Sequence, residues 1–93
     1  MYISVTRIAG APPQAVDRMV EGFRQGARDL TKFDGFLGFE IWRNEEGLEA
    51  VSKWVSKAAM EGYTNSADFG AHHGSGAARP GSSVAYYDAE VLA

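Results

Sequence analysis

Apolar and polar positions follow two different periods along this chain, and the changes of period mark its elements. Tyr2 to Ile8 is rich in β-branched and aromatic residues and reads as a strand. Ala9-Gly10-Ala11-Pro12-Pro13 stops it, because neither proline has an N–H to give to a ladder. From Gln14 to about Leu30 the apolar residues Val16, Met19, Val20, Phe23, Ala27 and Leu30 recur three and four apart. Asp17, Arg18, Glu21, Arg24, Arg28 and Asp29 fall outside that stripe. The spacing predicts an amphipathic helix with one buried face. Gly22 and Gly26 each cost such a helix about 1 kcal/mol against alanine. Spaced four apart, they either let another backbone approach closely or are simply tolerated.

Asp34-Gly35 opens a hairpin. Phe36 to Arg43 reads as one strand, Asn44-Glu45-Glu46-Gly47 as a solvated turn, and Leu48 to Val55 as the return strand. Ser56 stands where a helix N-cap belongs, ahead of Lys57-Ala58-Ala59-Met60-Glu61. A shorter helical stretch is expected from Ser66 to about His72, and the glycine- and serine-rich segment from Gly74 to Ser83 reads as a loop. Ser83 to Leu92 closes the chain as a fourth strand. The order β-α-β-β-α-β is the ferredoxin-like α+β pattern, expected here as a single domain over residues 1–93.

The strands carry apolar residues on both faces. Strict alternation puts Leu37, Phe39 and Ile41 on one side of the second strand and Phe36 and Trp42 on the other. In the last strand Val84, Tyr86 and Leu92 oppose Ala85, Tyr87, Ala89 and Val91, so the two tyrosines point to opposite sides. Two helices cover only one face of a sheet. The second apolar face calls for a partner, and another copy of the same sheet is the simplest one.

Composition strengthens that expectation. A chain of 93 residues buries only roughly 60–70% of its unfolded surface, so its core needs reinforcement. There is no cysteine, which removes disulfides and thiolate metal sites, and the adjacent His72 and His73 lack the spacing of a structural zinc site. A homodimer is the remaining reinforcement. Nine Lys and Arg against twelve Asp and Glu give a formal charge of −3, without the basic stripe that nucleic-acid phosphates require. No apolar run approaches the roughly 20 residues that span a bilayer. Met1-Tyr2-Ile3-Ser4-Val5 lacks the basic and apolar regions of a signal peptide, so the expected location is cytoplasmic.

Several stretches resemble the antibiotic biosynthesis monooxygenase domain family, whose members are dimeric α+β barrels. Phe33-Asp34-Gly35-Phe36-Leu37-Gly38-Phe39-Glu40 is similar to the Gly-Phe-x-Gly-Phe run that leads into that family's second strand. Val51-Ser52-Lys53-Trp54-Val55-Ser56-Lys57-Ala58-Ala59-Met60 resembles its commonest marker, a tryptophan ending a strand before a serine-capped helix. The spacing of Ser66, Phe69 and His73 matches a further segment. Within the family the heme-degrading monooxygenases look most similar. Their pattern has an asparagine on the first strand, a tryptophan on a later helix, and a histidine that ligates heme iron. The asparagine position falls on Thr6 and the tryptophan position on Tyr63. The histidine falls on His73 when the spacing from Phe69 is kept, and on His72 when the match is anchored on Asn65.

The resemblance therefore implies a pocket between sheet and helices, lined by Tyr63, Phe69, Phe23 and the first-strand residues near Thr6. Catalytic roles would fall to Tyr63, Asn65 and Thr6. His73 or His72 would hold the iron, with Phe69 and Phe23 against the ring. Heme would be both substrate and oxygen activator, with no further cofactor. Neutral imidazole is a common axial ligand of heme iron. Two alternatives stay open. One is a cofactor-independent monooxygenase of quinols or polyphenols, in which the same polar groups would stabilise a phenolate. The other is a non-catalytic dimeric domain binding a small aromatic ligand. The histidine pair also suits a helix C-terminus, where an imidazolium complements the dipole.

Overall fold

In the computed structural model, which describes residues 1–67 and 82–93, the first strand β1 runs over Tyr2–Ala9. Gly10 turns the chain out of it with φ of +76°, and Pro12 and Pro13 then begin helix α1 (Pro13–Leu30). Proline suits that position because the first N–H groups of a helix have no internal acceptor. The hairpin strands β2 (Phe36–Asn44) and β3 (Gly47–Trp54) follow, then helix α2 (Lys57–Thr64) and strand β4 (Ser82–Asp88). All pairings are antiparallel, in the order β2-β3-β1-β4. This is the expected ferredoxin-like arrangement. Among the described residues no helix is long and apolar enough to cross a membrane.

Local chemistry explains the boundaries. Ser56 Oγ accepts from the Ala59 N–H at 3.1 Å, the predicted cap of α2. Gly35 has φ of +83° at the tight turn into β2, where a Cβ would lie 2.6 Å from that of Ala59 and 2.7 Å from Val55 Cγ2. Only glycine fits there. Gly22 differs: among the described residues a Cβ there would meet nothing within 4 Å, so within them no close backbone approach requires this glycine.

Two sequence expectations change. A register irregularity between Phe36 and Gly38 breaks the strict alternation of β2. Phe36 pairs with Trp54 and Phe39 with Ser52, so Phe36 shares a face with Phe39 and Ile41 and not with Trp42. Leu37, at the irregularity, is exposed rather than grouped with Phe39. The last strand stops at Asp88 rather than Leu92. Its partner β1 begins at Tyr2, and after the Ala89 N–H donates to the Met1 carbonyl at 2.8 Å no β1 residue remains to pair. Val91 and Leu92 are accordingly exposed.

Both helices pack on the face of the sheet that presents Tyr2, Ser4, Thr6 and Ile8 from β1 and Leu48, Ala50, Ser52 and Trp54 from β3. One core cluster joins Leu30, Trp54, Met60 and Tyr63, with Tyr2, Phe33, Phe36 and Phe39 around them. A second joins Ile8, Val16 and Leu48, flanked by Met19, Val20, Phe23 and Ile41. The opposite face presents Ile3, Val5, Val51, Ala85, Tyr87 and Trp42 around a small polar cluster. There Glu40 accepts from Lys53 Nζ at 2.6 Å and from Trp42 Nε1 at 3.0 Å. The Lys53 hydrogen bond first, and the indole second, hold the Glu40 carboxyl below its ordinary pKa.

Candidate functional site

The helix-bearing face divides into a covered half and a more open half. Over β2 and β3 the helices close it, and Trp54 is completely buried between Phe36 (ring centroids 5.3 Å apart, edge-on) and Tyr63 (5.8 Å, stacked). Along β1 and β4 the face is more open, with Val84 and Tyr86 each 53% exposed. Both lie on the same side as Ser4 and Thr6, because Tyr86 pairs with Ser4 and Val84 with Thr6. Tyr86 stacks on Tyr2 at 6.1 Å, so an aromatic pair flanks the two hydroxyls. The combination of flat apolar surface and convergent polar groups is what a planar aromatic ligand requires.

At the other edge of this face, α1 and β2 enclose a groove of about 320 Å³ lined by Val20, Phe23, Arg24, Phe39, Ile41 and Arg43. Its floor is apolar, with Phe23 and Phe39 tilted against each other at 5.8 Å. The guanidiniums at its rim are already paired, Arg43 with Asp17 at 3.1 Å and Arg24 with Glu21 at 4.0 Å. Pairs this exposed contribute little to stability.

The residues singled out from the sequence fall in different places. Thr6 lies on the helix-bearing face of β1, half-buried. Phe23 lines the groove. Tyr63 is only 8% exposed, held between Trp54 and the edge of Phe33, and it does not line the groove. Asn65 is exposed just beyond α2, with its backbone N–H donating to the Glu61 carbonyl at 2.9 Å. Phe69, His72 and His73 lie outside the described residues. The fold thus puts Thr6, Phe23 and Tyr63 on one side of the sheet, with Phe23 and Tyr63 in separate clusters. Among the described residues no three His, Cys, Asp or Glu side chains gather as a metal site.

A polar group that the sequence reading missed sits at the centre of this face. Trp54 Nε1 donates to Ser52 Oγ at 3.0 Å, and Ser52 Oγ lies 2.7 Å from Ser4 Oγ across the β1–β3 ladder. The available signal was a serine two positions before a strand-ending tryptophan, which places both side chains on one face.

Comparison with known proteins adds the family context. The sequence profile described as antibiotic biosynthesis monooxygenase matches residues 1–75. Heme-degrading monooxygenases from Listeria welshimeri and Listeria monocytogenes are each 34% identical over 53 residues, covering 50% of this chain and 44% of theirs. The match thus spans less than half the length of these relatives. Among solved structures, the heme degrader MhuD from Mycobacterium tuberculosis, with two hemes bound in its active site, superposes with a TM-score of 0.72 at 21% identity. That match covers 100% of this chain and 99% of MhuD. A conserved protein from Methanosarcina mazei Go1 superposes with a TM-score of 0.73 at 15% identity, covering 97% of this chain and 94% of that one. At these identities the structural likeness is one of fold.

Proposed function

The chain belongs to the antibiotic biosynthesis monooxygenase family, and from that membership we propose that it is a heme-degrading monooxygenase acting as a homodimer. The observation that carries the reading is the 34% identity over 53 residues to proteins named for that activity. The chemistry of the residues fits. The open half of the helix-bearing face is aromatic and apolar, as a porphyrin plane requires, and an imidazole from His73 or His72 is a suitable iron ligand.

In this reading heme is the substrate and supplies the iron that activates oxygen. The chain's own residues bind and orient it. Phe69 would contact the macrocycle and keep water from it. Phe23, in the α1–β2 groove at the far edge of the face, would come into contact only with a ligand that extends that far. Tyr63, stacked on Trp54, would back the pocket from beneath. Thr6 offers a hydroxyl on the first strand, and Asn65 a side-chain amide at the end of α2. A hydroxyl gives one donor where the resembling pattern has an amide with two, so oxidation is expected to be slow.

Adding hemin to the purified chain should give a shifted Soret band that saturates with stoichiometric ligand. An unshifted spectrum with excess hemin would remove the heme reading. Oxygen uptake with a reduced quinol would then support the cofactor-independent alternative.

The dimer is read from the opposite face of the sheet, where Trp42 and Tyr87 are about half exposed beside Ile3, Val5 and Ala85. A second copy placed sheet to sheet would bury that surface. Sedimentation equilibrium at micromolar concentration should show a dimer, and Tyr87→Glu should shift it to monomer by desolvating a carboxylate in the interface. A wild-type chain that sediments as a monomer contradicts the proposal. Phe36 and Phe39 are unsuitable probes, since both pack in the core beneath the helices.

A further inference from the structure

The hydrogen bonds linking Trp54, Ser52 and Ser4 have one consistent direction. Indole nitrogen only donates, so Trp54 Nε1 gives its proton to Ser52 Oγ at 3.0 Å. Ser52 is 8% exposed, and the acceptor in reach of its own hydroxyl, among the described residues, is Ser4 Oγ at 2.7 Å. A buried hydroxyl proton without an acceptor is costly, so the deeper serine donates and the shallower one accepts. Ser4 is half-buried, and its own proton is left over. Its side chain makes no other hydrogen bond among the described residues. It stands between Tyr2 and Thr6 on the helix-bearing face, directly opposite Tyr86 of β4.

We propose that Ser4 is a ligand-contacting hydrogen-bond donor, with Ser52 and Trp54 as the residues that orient it, and that it takes an anionic oxygen of a flat aromatic ligand, a carboxylate or a phenolate. The donor is pre-set: with Ser52 occupying one lone pair of Ser4 Oγ, the Ser4 proton turns away from β3, toward the open half of the face. Thr6, two residues on, offers its hydroxyl on the same side, so the two form a short donor strip flanked by the Tyr2–Tyr86 pair. The inference rests on the reading above that the ligand occupies this face, but not on the ligand being heme.

Ser4→Val and Ser4→Thr test it, because they share one shape and differ in the hydroxyl. Wild type and both variants would be titrated with hemin, followed at the Soret band, and with naphthoate, followed by tryptophan fluorescence. For each ligand that the wild type binds, Ser4→Val should weaken affinity about tenfold, the loss of one charge-assisted hydrogen bond. Ser4→Thr should stay close to wild type. Equal affinity of Ser4→Val and wild type overturns the assignment, and so does an equal loss in both variants, which would mark a steric effect. If the wild type binds naphthoate with this dependence and does not bind hemin, the heme reading fails and the Ser4 assignment stands. If it binds neither, both fall.

Discussion

Trp54→Ala should remove about 3–5 kcal/mol of folding stability, the usual cost of deleting a buried aromatic from a packed core. Trp54 is fully buried, and it is the residue on which the main core cluster converges. Phe36 meets its ring edge-on, Tyr63 stacks on it, and Leu30 and Met60 bring both helices to the same point. Truncation also takes the indole N–H from Ser52 Oγ. Because domains of this kind are stable by only about 5–15 kcal/mol in total, the variant should be partly unfolded at ambient temperature. Trp54→Phe isolates the polar part: it keeps most of the ring contacts and loses the donor, with an expected cost of about 1–2 kcal/mol. Urea denaturation measures both. A Trp54→Ala midpoint within experimental error of wild type would show that the tryptophan is not the anchor of the core.

Where a single strand or helix carries its own pattern, the fold was legible. The three-and-four spacing of Val16, Met19, Val20, Phe23 and Leu30 yielded α1, and Ser56 marked the start of α2 through a contact made three residues along the chain. What failed depended on pairing. Leu37 occupies the register irregularity of β2, and nothing in the residues around Gly38 says that the alternation slips there, so strict alternation puts Phe36 on the face opposite to the one it occupies. The length of β4 depends on where β1 begins, which apolar Val91 and Leu92 do not reveal. The candidate site divides the same way. Thr6 and Phe23 could be placed from the face patterns of their own elements. The contact of Ser4 with Ser52 joins residues 48 apart and exists only once β1 and β3 are in register. The burial of Tyr63 against Trp54 likewise needed the packing of α2 on β3 to be known.

One of His72→Ala and His73→Ala should abolish the ligated hemin spectrum, while the other leaves it nearly unchanged. If the expected helix carries both, consecutive residues would point about 100° apart, and only one of the two imidazoles would face the iron. Phe69 precedes His72 by three residues and His73 by four, and in the helix that the sequence leads one to expect from Ser66, either spacing would bring a histidine to the side of that ring. The spacing from Phe69 in the resembling family points to His73 and the spacing from Asn65 to His72, so the variant that loses the spectrum also decides between the two alignments. The effect is all-or-none, unlike the roughly tenfold change expected at Ser4, because an axial ligand sets the spin and coordination of the iron directly. Reductant and oxygen should then consume the bound heme slowly in wild type, and Thr6→Asn, which restores a side-chain amide on the first strand, should speed that loss. Identical spectra for wild type and both alanine variants would show that neither histidine is the iron ligand. Loss of the spectrum in both would show instead that the segment carrying them must keep its shape for hemin to bind.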